Sequence, residues 1–371
     1  MKHILSPILL SLLLTACGGG GSSVTPNTDN SKPVISATLY DTSYKNFKLN
    51  ADDSIKYPIY HLRYGGDPYA VGFGEFLASG ELSVFVAYQN YNPWEPYAPV
   101  QSNPANHASE YAFYSINSDK TLTKKISLKG CLHPGKALVA DFNNDSIPDI
   151  FVICAGYDAD PFPGEKSQLL LSSGRGNYKM VEVDIDMFTN ATAADINGDG
   201  YPDLLGIPSK DQTAYFYINQ KNGTFVKDTS IKINNLPRSA YFNIELMDVN
   251  KDNKLDIVIG GHEFEGGITK VLYTGNDGVF GSSVLNIPVI QGKGVVGDFA
   301  VVGNMLYINR TTDPSDSLGW YKGTLIQGYN LTTGVSTTGS YIPDTYSPWI
   351  IPKTKNNQTG AGPYNSSAFF Q

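Results

Sequence analysis

Three short acidic runs carry the most chemistry in this sequence. They are Asp141-Phe142-Asn143-Asn144-Asp145-Ser146-Ile147-Pro148-Asp149, Asp195-Ile196-Asn197-Gly198-Asp199-Gly200-Tyr201-Pro202-Asp203 and Asp248-Val249-Asn250-Lys251-Asp252-Asn253-Lys254-Leu255-Asp256. They align without gaps as Asp-x-Asn-x-Asp-x-x-x-Asp, with starts 195 − 141 = 54 and 248 − 195 = 53 residues apart. Calcium takes about 6–8 hard oxygen ligands. Side-chain oxygens at positions 1, 3 and 5 of a tight loop, a carbonyl near position 7 and the acid at position 9 can supply them. Without a cation, three carboxylates this close repel one another. An EF-hand begins similarly but needs a bidentate Glu at position 12. That position holds Val152, Gly206 and Ile259 here.

The flanks of each run predict strands rather than helices. Lys136 to Ala140 leads into the first loop and Ile150-Phe151-Val152-Ile153 leaves it. After each loop come a further apolar run and a glycine turn: Ser167–Leu171 before Gly174-Arg175-Gly176, Ala214–Asn219 before Asn222-Gly223, and Thr269–Thr274 before Asn276-Asp277-Gly278. Each reads as strand, turn, strand. The unit is therefore about four strands in about 54 residues, the size of one propeller blade.

In these loops and strands the sequence resembles the FG-GAP or VCBS repeat family, which includes the head of integrin α chains and many bacterial surface proteins. The resemblance covers about residues 136–285. It implies an all-β propeller of four-stranded blades with calcium-binding hairpin loops, about three structural ions in all. The implied ligands are Asp141, Asn143, Asp145 and Asp149; Asp195, Asn197, Asp199 and Asp203; and Asp248, Asn250, Asp252 and Asp256. Elsewhere the pattern degenerates. Val71-Gly72-Phe73-Gly74-Glu75-Phe76 resembles an earlier copy, with Ser83–Ala87 its second strand. Val295-Val296-Gly297-Asp298-Phe299 keeps the first Asp of a loop and no further acids. Blades without calcium are expected at both. Residues 35–371 divided by the repeat length allow six or seven blades, and seven is favoured because the family commonly has it and the terminal segments can share a blade.

The chain begins with Lys2 and an apolar run from Ile4 to Leu14, too short for a membrane span of about 20 residues. It fits a signal peptide over residues 1–16. Leu14-Thr15-Ala16-Cys17 resembles a lipobox, which implies a lipidated Cys17. Gly18 to Ser23 reads as the start of a flexible tether (residues 17–34), and residues 35–371 as the propeller. Gly18 after the cysteine favours the outer membrane of a bacterial envelope. Cys131 and Cys154 flank one predicted hairpin, and an exported compartment permits a disulfide between them. The formal charge is −8, and removing Lys2 with the signal makes it −9. That argues against nucleic acid as a partner; the membrane enters through the Cys17 anchor. Three calcium ions would bring the mature charge to −3.

Few residues outside the loops suggest catalysis. Gly292-Lys293-Gly294-Val295-Val296-Gly297 matches G-x-G-x-x-G but reads as a turn and first strand in blade register. His262-Glu263-Phe264-Glu265 has Gly266 where a zinc protease has its second His. His61, His107, His133 and His262 have no metal-like spacing. The richest remaining features are aromatic: Tyr88, Tyr91, Trp94 and Tyr97 in one loop, then Trp320-Tyr321 and Tyr346-Ser347-Pro348-Trp349. Aromatic faces beside amides suit sugar rings or a protein hot spot. The sequence therefore reads as a non-enzymatic, lipid-anchored binding module for a protein or glycan. A structural envelope component is one alternative, and an exported hydrolase or lyase on a propeller scaffold is the other.

Overall fold

The structure, a computed structural model, describes residues 49–50, 68–90, 92, 95–103, 106–313, 321, 323–343, 347, 349–363 and 369–371. Five four-stranded antiparallel sheets follow one another along the chain, each with strands in sequence order. We number these blades I to V. Their innermost strands are Pro68–Ala78, Pro134–Ala140, Phe188–Ala194, Tyr241–Met247 and Val295–Val302. Their outermost strands are Leu122–Lys129, Tyr178–Glu182, Phe225–Asp228, Ser283–Asn286 and Ser336–Thr338. The molecule is an all-β propeller.

The five four-stranded blades correct the expected six or seven. The strands Ile350–Lys355 and Gln358–Pro363 pair antiparallel, and Leu49–Asn50 adds parallel to Ile350–Lys355. This three-stranded sheet does draw on both terminal segments. Dividing length by a fixed repeat overcounted because not all residues enter four-stranded blades: the terminal segments supply the three-stranded sheet, and residues 89–109 lie between the second and third strands of blade I.

Burial explains why the inner strands are apolar on both faces. Successive side chains of a strand point to opposite sides, and each blade is covered by a neighbour on both. In blade II, Ala137, Val139, Ile150, Val152 and Leu170 pack on Phe76, Phe85 and Phe113 of blade I. The alternate residues Leu138, Phe151, Ile153 and Leu169 pack on Phe188, Ala191, Leu204 and Tyr217 of blade III. The same alternation closes the ring. Ile351 joins Val71, Phe73 and Val86 of blade I, while its neighbour Ile350 joins Ala300, Tyr307 and Ile326 of blade V. Gly72 lets blades I and II pack closely: a Cβ there would stand 2.7 Å from Val139 Cγ2.

Each first hairpin carries a bulge at the same place, just before Ala70, Lys136, Asn190, Asn243 and Asp298. This corrects the reading of Asp298. It does not begin a loop but pairs with Asn309 inside the sheet, fully buried, and its Oδ2 accepts the Ile350 N–H at 2.8 Å. Its structural counterpart in blade IV is Asn243, not Asp248. Blade V turns at Gly303-Asn304, where Gly303 has φ 61°, instead of through a nine-residue loop.

Candidate metal loops and an axial pocket

The three acidic runs connect the first and second strands of blades II, III and IV. Each is built alike. The side chain at position 2 (Phe142, Ile196 or Val249) is buried and anchors the loop. The backbone at positions 4 and 6 has positive φ in every copy: Asn144 and Ser146, Gly198 and Gly200, Lys251 and Asn253. Only blade III uses glycine at both, which costs no steric strain. That winding turns the amides inward. The position-5 N–H donates to the first Asp (2.9, 3.1 and 3.1 Å) and to the Asn Oδ1 (3.1, 3.0 and 3.0 Å).

The position-9 acids Asp149, Asp203 and Asp256 are fully buried and tie the hairpin to the third strand. Their Oδ1 atoms accept N–H groups of Ser172, Asn219 and Thr274 at 2.6, 2.8 and 2.8 Å. Burial, reinforced by the neighbouring position-1 and position-5 carboxylates, pushes each up to about 7. This is the electrostatic situation that a bound cation relieves.

The donor set fits a hard cation: four oxygen-bearing side chains per loop and no nitrogen or sulfur ligand. The loops are closed on themselves, however. Among the described residues no three His, Cys, Asp or Glu side chains converge at metal-binding spacing. Asn143 Nδ2 lies 3.0 Å from Asp145 Oδ2, and Ser172 Oγ donates to the same oxygen at 2.7 Å. In blades III and IV lysines reach the position-5 acids: Lys221 to Asp199 at 3.2 Å and Lys254 to Asp252 at 2.6 Å. An ion would have to displace these contacts.

A second feature lies at the opposite end of the inner strands. A cavity of ≈370 Å³ opens there, lined from blades II to V and by Trp349. Gly135, Thr189 and Phe242 line it, each six residues before the first Asp of its loop, so one strand length separates cavity from loops. Below Asn190 the axis is filled. Lys136 Nζ donates to Asn190 Oδ1 at 3.2 Å and to Glu245 Oε1 at 2.7 Å, and Thr192 Oγ1 donates to Glu245 Oε2 at 3.0 Å.

His262 stands in the cavity wall. Its Nδ1 is 2.9 Å from Glu265 Oε2 and its Nε2 3.1 Å from the Tyr321 hydroxyl. Phe242 and Phe264 stack on its ring at 4.0 and 5.0 Å. The turn that presents it is pinned from beneath, where Glu263 accepts two hydrogen bonds from buried Arg310 at 2.7 and 3.0 Å. Burial, with the charges of Asp158 and Glu265, pushes the Tyr321 hydroxyl up to about 12. Burial also pushes His133, another wall residue, down to about 4. Phe162, Phe242 and Phe264 remain exposed near the mouth.

The aromatic residues singled out in the sequence separate in space. Tyr88 is fully buried in blade I, which removes it from any contact surface. Tyr97 packs on Tyr157, whose hydroxyl donates to the Glu95 carbonyl. Tyr91, Trp94, Trp320 and Tyr346 lie outside the described residues, as do Cys17 and the whole of residues 1–48. Tyr321 and Trp349 do come together in the cavity wall. Cys131 and Cys154 are disulfide-bonded. Gly292 lies in a turn and Val295 begins a strand, as their blade register suggested. Phe242, Asn190 and Gln212 carried no motif, although their place before the acidic loops could have flagged the first two. No helix among the described residues is long and apolar enough to cross a membrane.

Five blades of four strands, with acidic hairpins on one face and an axial cavity on the other, define a β-propeller of the repeat type. The family model for the FG-GAP-like repeat matches residues 141–206 and 195–259, which include all three acidic loops, and this match supports the FG-GAP repeat resemblance over that stretch. Such a scaffold suggests a binding or structural module. No curated protein sequence matches. Among solved structures, a mannose phosphorylase from Leishmania mexicana in complex with phosphate ion is similar at 8% identity. The match covers 84% of this chain and 85% of that one, with a TM-score of 0.36, which carries no functional argument.

Proposed function

We propose that this protein is an exported binding module that captures a protein or glycan partner at its axial pocket. The observation that carries the reading is the cavity at one end of the inner strands, walled mainly by aromatic and neutral groups with Asp158 as its one carboxylate among the described residues, opposite the acidic hairpins. Calcium serves to fix the hairpins. Asp141, Asn143, Asp145 and Asp149 would hold one ion, and their counterparts in blades III and IV the others. The ion supplies positive charge for carboxylates that otherwise repel. Its role is structural, because the loops lie a full strand length from the pocket. The Lys2–Leu14 run and the Leu14-Thr15-Ala16-Cys17 sequence support export and lipid anchoring at Cys17, with the outer membrane favoured by Gly18.

The test is a binding screen of the detergent-solubilised full chain against a glycan panel and against envelope proteins by cross-linking, in calcium and in chelator. Binding that Phe242→Ala removes supports the reading. Partners retained at full affinity by that variant would place the contact surface elsewhere and overturn it.

A further inference from the structure

We propose that the axial pocket is a carbohydrate site that selects an uncharged sugar residue. This rests on the binding reading above and narrows its ligand class.

Charge is the first argument. Among the described lining residues there is no lysine or arginine, and Asp158 is the one carboxylate. The two histidines do not make good the deficit. His133 is held neutral by its burial, and His262 already engages both ring nitrogens, one of them with the carboxylate of Glu265. A uronate, sulfate or phosphate entering here would meet Asp158 with no lysine or arginine among the described lining residues to compensate it, and burying an unpaired charge is costly.

Size and depth exclude a small cation just as well. Aromatic cages hold ammonium groups by enclosing them closely. A cavity of ≈370 Å³ lies instead in the range of small-molecule sites, about 300–1,000 Å³. A lone ammonium head would leave most of it unfilled. At its floor, Asn190 already accepts a hydrogen bond from Lys136 on its Oδ1, so that oxygen is not open to an ammonium donor.

What the walls do offer is the pairing that a pyranose ring presents. The ring has apolar C–H faces and a rim of hydroxyls that both donate and accept. Phe242, stacked on His262 at 4.0 Å, and Tyr321, tilted against it at 6.0 Å, supply aromatic surfaces. Asn190, Thr189 and Gln212 supply neutral hydrogen-bonding groups in the same lining. Neutral amides can follow hydroxyls in either role, whereas fixed charges cannot.

The experiment compares neutral, acidic and amine-bearing oligosaccharides on the full chain by titration calorimetry. Phe242→Ala removes a wall and Gln212→Ala removes an exposed polar group whose loss leaves the core intact. The expected result is binding of neutral sugars, weakened at least tenfold by Phe242→Ala and severalfold by Gln212→Ala, with acidic analogues bound more weakly. Tighter binding of acidic or amine-bearing sugars, still lost in Phe242→Ala, would overturn the ligand class while leaving the pocket as the binding site. Neutral-sugar binding unchanged in both variants would overturn the pocket itself. If no sugar binds but a protein partner is lost in Phe242→Ala, the carbohydrate assignment fails and the binding reading stands.

Discussion

Lys136 Nζ lies 2.7 Å from Glu245 Oε1, and both side chains are buried on innermost strands two blades apart. They join blade II to blade IV across the axis, and Thr192 of blade III completes the set from the other carboxylate oxygen. Lys136 occupies the bulge position filled by Asn190, Asn243 and Asp298 in three other blades; it bonds Asn190 directly, while Asn243 and Asp298 bond backbone groups of Gly297 and Ile350.

Removing one partner of a buried pair leaves an uncompensated charge, which costs about 3–5 kcal/mol. Glu245→Leu should therefore lower stability to urea by that order. The double variant Lys136→Met/Glu245→Leu should recover most of the loss. Equal loss in single and double variants would show that the pair is not what the axis depends on.

The loops should differ in cation affinity. Lys254 bonds Asp252 within its own loop, while Asp145 in blade II has only neutral partners for its Oδ2. Lys254→Met removes a competitor of the ion, and a partly exposed pair of this kind is worth up to about 1 kcal/mol. Calcium affinity at the blade IV loop should rise by up to about fivefold in titration calorimetry. A fall would mean that Lys254 orders the loop rather than competing in it.

His133 predicts an acid-side loss of stability. Burial lowers its folded pKa from 6.5 to about 4, so the fold prefers the neutral ring and the unfolded chain binds the proton first. Its contribution is fully present above pH 6.5, is lost as pH falls toward 4, and changes no further below that. Over this window the loss is of the order of 3 kcal/mol. Urea midpoints against pH for His133→Gln should be flatter than for the parent in that range. Parallel curves would contradict the assignment.

Replacing Gly200 with Val should destabilise blade III. Gly200 has φ 85°, a conformation that costs a β-branched residue at least about 1–2 kcal/mol. Blade III should lose amide-exchange protection before blade V, whose turn has no such loop. Uniform loss across all blades would show that the ring unfolds as one unit.

The blade repeat was legible because period-2 burial and loop chemistry coincide in the same 54 residues. Asp141, Asp195 and Asp248 start loops at the ends of strands, as their spacing required. Asp298 misled because an Asp after an apolar run looks the same whether it starts a loop or sits at a bulge. Only the pairing with Asn309 distinguishes the two. The axial pair Lys136–Glu245 was invisible, since 109 residues separate its members and neither belongs to a motif. The pocket was half legible. Tyr321 and Trp349 stood out as aromatics, but Phe242 and Asn190 acquire their role from the ring's closure, which no local pattern encodes. Tyr88 failed as a surface residue because an aromatic at the end of a strand looks the same buried or exposed.

The most direct measurement of the central claim is the melting temperature of the full chain, titrated with calcium from chelator to about 10 mM, a range that brackets the roughly 10⁻⁴–10⁻³ M typical of extracellular calcium modules. Ions bound only by the folded state stabilise it by linkage. The account predicts a saturable rise, with about three ions bound per chain and a smaller rise in Asp145→Ala. A melting temperature that does not move with calcium would contradict it.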